Sequence, residues 1–128
     1  MNTTFPKHQK LESRKDIKAL FEEGKTVTKY PVKLLWLPLG QQETKAGFAV
    51  AKRNFKSAVA RNKIKRLMRE AYRLQKQEIQ GRHKTFNLLF LYIGKDVASF
   101  KTIDKAVVGA LKKLPHKQTV PTTNSTTL

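Results

Sequence analysis

The stretch Ala58–Arg73, AVARNKIKRLMREAYR, decides how the rest of the chain is read. It holds six basic side chains and one acid, yet Ile64, Leu67, Met68 and Ala71 recur through it at helical spacing. With Ile64 at zero and about 100° per residue, Ala60, Leu67, Met68, Ala71 and Gln75 lie within roughly 60° of it. Arg61, Lys65, Lys76, Arg69, Asn62, Arg73 and Arg66 cover the arc from about 60° to 200°, and Lys63 and Glu70 fall on the other flank. One helix therefore serves as a core wall and as a basic surface. Ser57 is its candidate cap, and the pattern runs to about Ile79, before Gly81.

A solvated helix normally mixes signs, because i,i+4 pairs support it. Here the basic sector contains no acid, and Lys52, Arg53 and Lys56 lie just upstream. Arginine favours forked contacts to phosphate, whereas lysine acts as a point charge. Asn62 has the donor and acceptor to read a base edge or a 2′-hydroxyl.

The whole composition points the same way. The chain of 128 residues carries 27 Lys and Arg against nine Asp and Glu, a net charge of +18. Self-repulsion of that size weakens a compact state and suits a polyanionic partner, nucleic acid before an acidic membrane surface. No apolar run approaches the ~20 residues of a membrane span. The start, MNTTFPKHQK, lacks the apolar core of a signal peptide. Cysteine is absent, which removes disulfides and thiolate metal sites and suits a reducing cytoplasm. His8, His83 and His116 are scattered singly, a poor pattern for a metal site.

The length and a hydrophobic content of 39% fit one domain with one modest core. Residues 1–10 read as a flexible segment, 11–114 as the folded domain, and the Thr-rich 115–128 as a disordered tail. Within the domain, LESRKDIKALFEEGK is a first helix. Ser13 is its cap, Ile17, Leu20 and Phe21 form its apolar face, and Gly24 is a left-handed stop. YPVKLLWLPLG is a strand ended by Pro38 and Gly40, with Val32, Leu34 and Trp36 alternating against Lys33, Leu35 and Leu37. KAGFAVAKR is a second strand, and the short polar link between the two predicts a hairpin. KTFNLLFLYIG, apolar on both faces, predicts a central strand. Ser99 caps a last helix with Ile103, Val107, Leu111 and Leu114 as its buried stripe. The order α-β-β-α-β-α is an α+β sandwich of helices on a small sheet. Phe21 reads either as core or as a platform for an unpaired base, and Trp36 as core by its alternation.

At RNKIKRLMRE, Arg61–Glu70, the sequence resembles the protein subunit of bacterial ribonuclease P, whose signature is R-N-R-x-K-R-x-x-R-E; only Lys63 departs. DIKALFEEGK and GFAVAKR resemble the family's first helix and a later strand, and the resemblance covers about residues 7–114. It implies the order α-β-β-β-α-β-α, one strand more than the residues alone suggest. It also implies a mixed sheet and a left-handed crossover through the basic helix, against the usual right-handed rule.

The resemblance further implies a protein that binds a large catalytic RNA and the single-stranded 5′ leader of precursor tRNA. The RNA, with magnesium, performs the hydrolysis, and the protein binds no metal of its own. Carried over, Arg61, Asn62, Lys63, Lys65, Arg66 and Arg69 face RNA, with Lys56 and Arg73 extending that surface. Lys52 and Arg53 stand beside a leader cleft that contains Phe21. Ile17 and Leu35 replace aromatics common in the family, which implies weaker leader stacking or recruitment of Trp36, with Phe21 carrying more of what stacking remains. Clustered carboxylates or a partnered histidine, which hydrolysis by the protein would want, are not evident. A structural RNA-binding protein, such as a ribosomal protein, shares the charge but not the leader selectivity.

Overall fold

The computed structural model describes residues 9–39, 44–80 and 85–114. Its elements are α1 (Arg14–Glu23), β1 (Lys25–Lys29), β2 (Val32–Leu39), β3 (Lys45–Val50), α2 (Ala58–Gln80), β4 (Thr85–Tyr92) and α3 (Phe100–Lys112). The four strands form one mixed sheet in the order β1-β2-β4-β3. β1 and β2, and β2 and β4, are antiparallel, whereas β3 and β4 are parallel neighbours joined through α2. The fold is α+β, three helices on a small mixed sheet.

All three predicted caps form. The hydroxyls of Ser13, Ser57 and Ser99 each accept from a backbone N–H three residues on, those of Asp16, Ala60 and Thr102, at 3.2 Å in every case. Each satisfies a donor that the helix leaves unpaired.

Gly24 ends α1 differently from the expectation. Its backbone is extended, at φ −69° and ψ 156°, not left-handed. Its N–H donates to the Leu20 carbonyl at 3.0 Å, and an added Cβ would lie 2.4 Å from that same oxygen. Close approach, rather than a positive φ, requires glycine there.

The expected hairpin between the second and third strands does not form, because β4 lies between β2 and β3. The reason is burial. β4 is apolar on both faces, so it takes the doubly covered position: Phe86, Leu88, Phe90 and Tyr92 face α2 and α3, while Leu89 and Leu91 face α1. The hairpin that does exist joins β1 to β2 through Tyr30 and Pro31, whose peptide bond is cis. β1 is the extra strand of the family order, and it escapes the apolar pattern because it is a short edge strand, mostly exposed.

The two faces of the sheet are unequally filled. On one, Val32, Leu34 and Trp36 join Ile64, Met68, Tyr72, Ile103, Val107 and Leu111 in the main core. On the other, Leu11, Leu20, Leu35 and Leu89 are the buried apolar side chains among the described residues, and Ile17, Leu37, Ala49 and Leu91 stay half-covered. Since a fully buried side chain of this size contributes ~1.5–3 kcal/mol, the α2–α3 layer carries most of the stability. The α1 layer leaves an open apolar floor.

Gln9 and Lys10, which the sequence reading places in a flexible segment, belong to the folded body. Gln9 is buried, Lys10 bridges Ala46 in parallel, and the Leu11 N–H donates to the Ala46 carbonyl at 2.9 Å. The expected tail from residue 115 and the segment 1–8 lie outside the described residues.

Candidate nucleic-acid interface

The α2 helix presents its basic residues as the angular reading anticipates, but rolled. Tyr72, about 80° from Ile64 at helical spacing, is fully buried, while Leu74 on the opposite flank is 53% exposed. The core face is thus turned toward the arc assigned to charge. The cause is aromatic packing: the Tyr72 ring sits 5.6 Å from Phe90 and 6.0 Å from Phe48.

This roll sorts the basic side chains. Arg61 and Lys65 become half-buried, whereas Asn62, Lys63, Arg66 and Arg69 are exposed. Arg61 is drawn in furthest: its Nη1 donates to the carbonyls of Phe55 at 2.6 Å and Lys56 at 3.0 Å. Arg69 lies over the Phe48 ring, Cζ to centroid 5.9 Å, and Phe48 is itself stacked on Phe90 at 5.4 Å. A cation over an aromatic face gains ~0.5–1 kcal/mol at an exposed site, and here the ring fixes where the guanidinium points. Arg73 pairs with Glu70 through two hydrogen bonds, Nε to Oε1 at 3.0 Å and Nη2 to Oε2. That pairing holds the Glu70 carboxyl below its ordinary range and neutralises much of the Arg73 charge. Of the ten basic-surface residues anticipated, Arg61 and Arg73 thus have structural duties.

The segment between β3 and α2 is a tight turn, with the N–H groups of Asn54 and Phe55 donating to the carbonyls of Ala51 and Lys52, both at 3.2 Å. Phe55 is buried against Tyr92, which anchors the turn and leaves Lys52, Arg53 and Lys56 exposed.

The second surface is the α1 face of the sheet. Phe21 stands 58% exposed on α1, not in the core. Ile17, Leu37, Ala49 and Leu91 continue the apolar floor. At the end where β3 and β4 stop, a groove of about 540 Å³ opens, lined among others by Lys33, Arg53, Leu91, Ile93 and Lys95. Of the basic pair expected beside a cleft, Arg53 lines this groove and Lys52 does not.

Trp36 departs from the cleft assignment. It lies on the opposite face of the sheet, 8% exposed, edge-on to Phe86 at 5.5 Å, with the Lys25 ammonium over its ring at 5.5 Å. Strand alternation sends residues 34 and 36 to one face and 35 to the other, so Leu35 rather than Trp36 faces α1. Lys33, Leu91, Ile93 and Lys95 were not anticipated. The same alternation marks Lys33, whereas nothing in the local pattern marks Lys95.

The sequence model of the family described as Ribonuclease P matches residues 5–115. The ribonuclease P protein component of Porphyromonas gingivalis is 33% identical over 116 residues, covering 84% of each chain. That of Caldanaerobacter subterraneus is 33% identical over 107 residues, covering 83% of this chain and 89% of the relative. Among solved structures, the RNase P protein of Thermotoga maritima superposes with a TM-score of 0.72 at 26% identity, covering 83% of this chain and 100% of that one. The Staphylococcus aureus RNase P protein shares the fold at a TM-score of 0.70 and 20% identity, covering 81% of this chain and 93% of that one. With the family model spanning every described residue, the chain belongs to the ribonuclease P protein component family.

Proposed function

We propose that the chain, as the protein subunit of ribonuclease P, uses its two surfaces for two RNAs. The exposed side chains Asn62, Lys63, Arg66 and Arg69 of α2 and the half-buried Lys65, with Lys52 and Lys56, meet the catalytic RNA. The α1 face, with Phe21 as a stacking platform and Lys33, Arg53 and Lys95 as phosphate partners, takes the single-stranded 5′ leader of precursor tRNA. The observation that carries this reading is the incomplete cover of the sheet: α1 leaves a half-open apolar floor edged by cations, on the face turned away from α2. Unpaired bases are held by such a combination of stacking and charge.

The chemistry belongs to the RNA, with magnesium held mainly by RNA phosphates and the substrate. Among the described residues no three His, Asp or Glu side chains group as metal ligands, and the Glu70 carboxylate is engaged by Arg73. His8, His83 and His116 lie outside the described residues. The protein's contribution is affinity and alignment of the leader beside the cleavage site. No described helix is long and apolar enough to cross a membrane, and a cytoplasmic site follows from the substrate.

Reconstitution with the cognate catalytic RNA tests the reading. The protein is expected to promote 5′ cleavage of precursor tRNA at magnesium concentrations where the RNA alone is slow. RNA binding without any effect on cleavage or on leader affinity would favour a purely structural RNA-binding role.

A further inference from the structure

A second basic surface lies at the edge of the sheet opposite to the α2 arginines. α2 packs on β3 and β4 while α3 packs on β1 and β2, and Arg69 over Phe48 directs the basic sector of α2 toward the β3 edge. At the other edge, a groove of about 580 Å³ runs between α3 and the β1–β2 turn, lined by Lys29, Tyr30, Thr102, Lys105, Ala106 and Gly109. No carboxylate lines it. Tyr30 is 70% exposed at the tip of the turn. The Lys29 stem lies along Gly109, its carbons 3.6–3.7 Å from where a Cβ would stand, an ordinary contact distance.

A lysine ridge on α3 runs beside the groove and shares Lys105 with it. Lys101, Lys105 and Lys112 sit within about 40° of one another, opposite Ile103 at helical spacing, and all three are exposed. The first and last are eleven helical steps apart, roughly 16 Å. Edge lysines commonly guard a strand against pairing with another chain, which accounts for Lys25 and Lys29. That role leaves the exposed Tyr30 and the lysine ridge on α3 unexplained.

We infer that this groove is a second RNA-contacting surface, binding an unpaired segment of the catalytic RNA, with phosphates at Lys29, Lys105 and the α3 ridge and a base stacked on Tyr30. The inference rests on the reading of the chain as a ribonuclease P subunit. The leader is the less fitting occupant, because its cleft lies on the opposite face of the sheet. A large folded RNA already seated on α2 has the reach to meet both edges of a four-stranded sheet, about 15 Å apart.

The test is the affinity of the full chain for its catalytic RNA as salt is varied. The variants are Lys29→Gln with Lys105→Gln, Tyr30→Ala and Tyr30→Phe, with Arg66→Gln/Arg69→Gln as the control. The double lysine variant is expected to lower the log–log salt slope by about 1.4 to 1.8, two contacts' worth. Tyr30→Ala should weaken binding roughly fivefold or more, and Tyr30→Phe should behave as wild type, since the ring and not the hydroxyl stacks. If the lysine variant melts early, Lys101→Gln/Lys105→Gln replaces it. Unchanged slope and affinity while the α2 control is weakened would overturn the inference alone, as would a loss confined to precursor tRNA. A neutral α2 control would overturn the subunit reading and the inference with it.

Discussion

Arg61 reaches back from the first turn of α2 to place its Nη1 2.6 Å from the carbonyl oxygen of Phe55. A signature arginine is thereby spent on holding the turn that displays Lys52, Arg53 and Lys56. Arg61→Ala should lose a charge-assisted hydrogen bond, ~1.5–3 kcal/mol of stability, and loosen that turn. Arg66→Ala, on the exposed arc, should stay within about 0.5 kcal/mol of wild type yet weaken assembly with the catalytic RNA. Urea denaturation beside an RNA-binding titration separates the two; equal stability of the variants would show that the Arg61 contacts are energetically idle.

Phe21 offers the opposite contrast, binding without stability. Because it is 58% exposed, Phe21→Ala should leave the melting temperature nearly unchanged. It should cost roughly 1–3 kcal/mol of affinity for precursor tRNA with a long leader, the value of one stacked base. With the leader cut to one or two nucleotides the cost should vanish. A loss that persists on short leaders would remove Phe21 from the cleft.

Trp36→Ala should act through the core. The ring is packed edge-on against Phe86, so truncation is expected to cost ~3–5 kcal/mol of stability and to impair long and short leaders alike. Thermal melts and cleavage assays on one variant check both halves of the statement.

Tyr72 gives a pH signature. Burial raises its phenol well above the ordinary value, so the folded chain keeps the proton when the unfolded chain has lost it. The contribution is complete below about pH 10, the unfolded value, and drains away as the pH rises further, by up to ~1.4 kcal/mol per unit. Tyr92 is shifted in the same direction by burial. Tyr72→Phe should therefore gain on wild type between pH 8 and pH 11 in urea denaturation. Parallel pH profiles for the two proteins would contradict the burial of this hydroxyl.

Much of the fold is legible because local chemistry and global position agree. The serine caps, the apolar stripe of α3 and the two-faced hydrophobicity of β4 are each set by neighbours in sequence. The failures have a common cause. A short link predicts a β2–β3 hairpin, yet a more apolar strand from later in the chain takes the place beside β2. β1 carries no strand signal in the sequence because an exposed edge strand has no need of apolar alternation. Tyr72 lay outside the core arc drawn from Ile64, since two aromatics from other elements, Phe48 and Phe90, turned the helix.

The candidate site divides along the same line. A strong basic excess and an acid-free arc on the long helix are legible in the residues alone, because charge and helical period need no knowledge of packing. It also set the alternation that puts Trp36 and Leu35 on opposite faces of β2. Tertiary packing is what sorts the cations: Arg61 is held by carbonyls and Arg73 by Glu70, while Arg53, Lys33 and Lys95 line one groove from three different segments. Hydrogen-bond partners and groove walls are set by which distant segments pack together, and no single stretch of sequence encodes that.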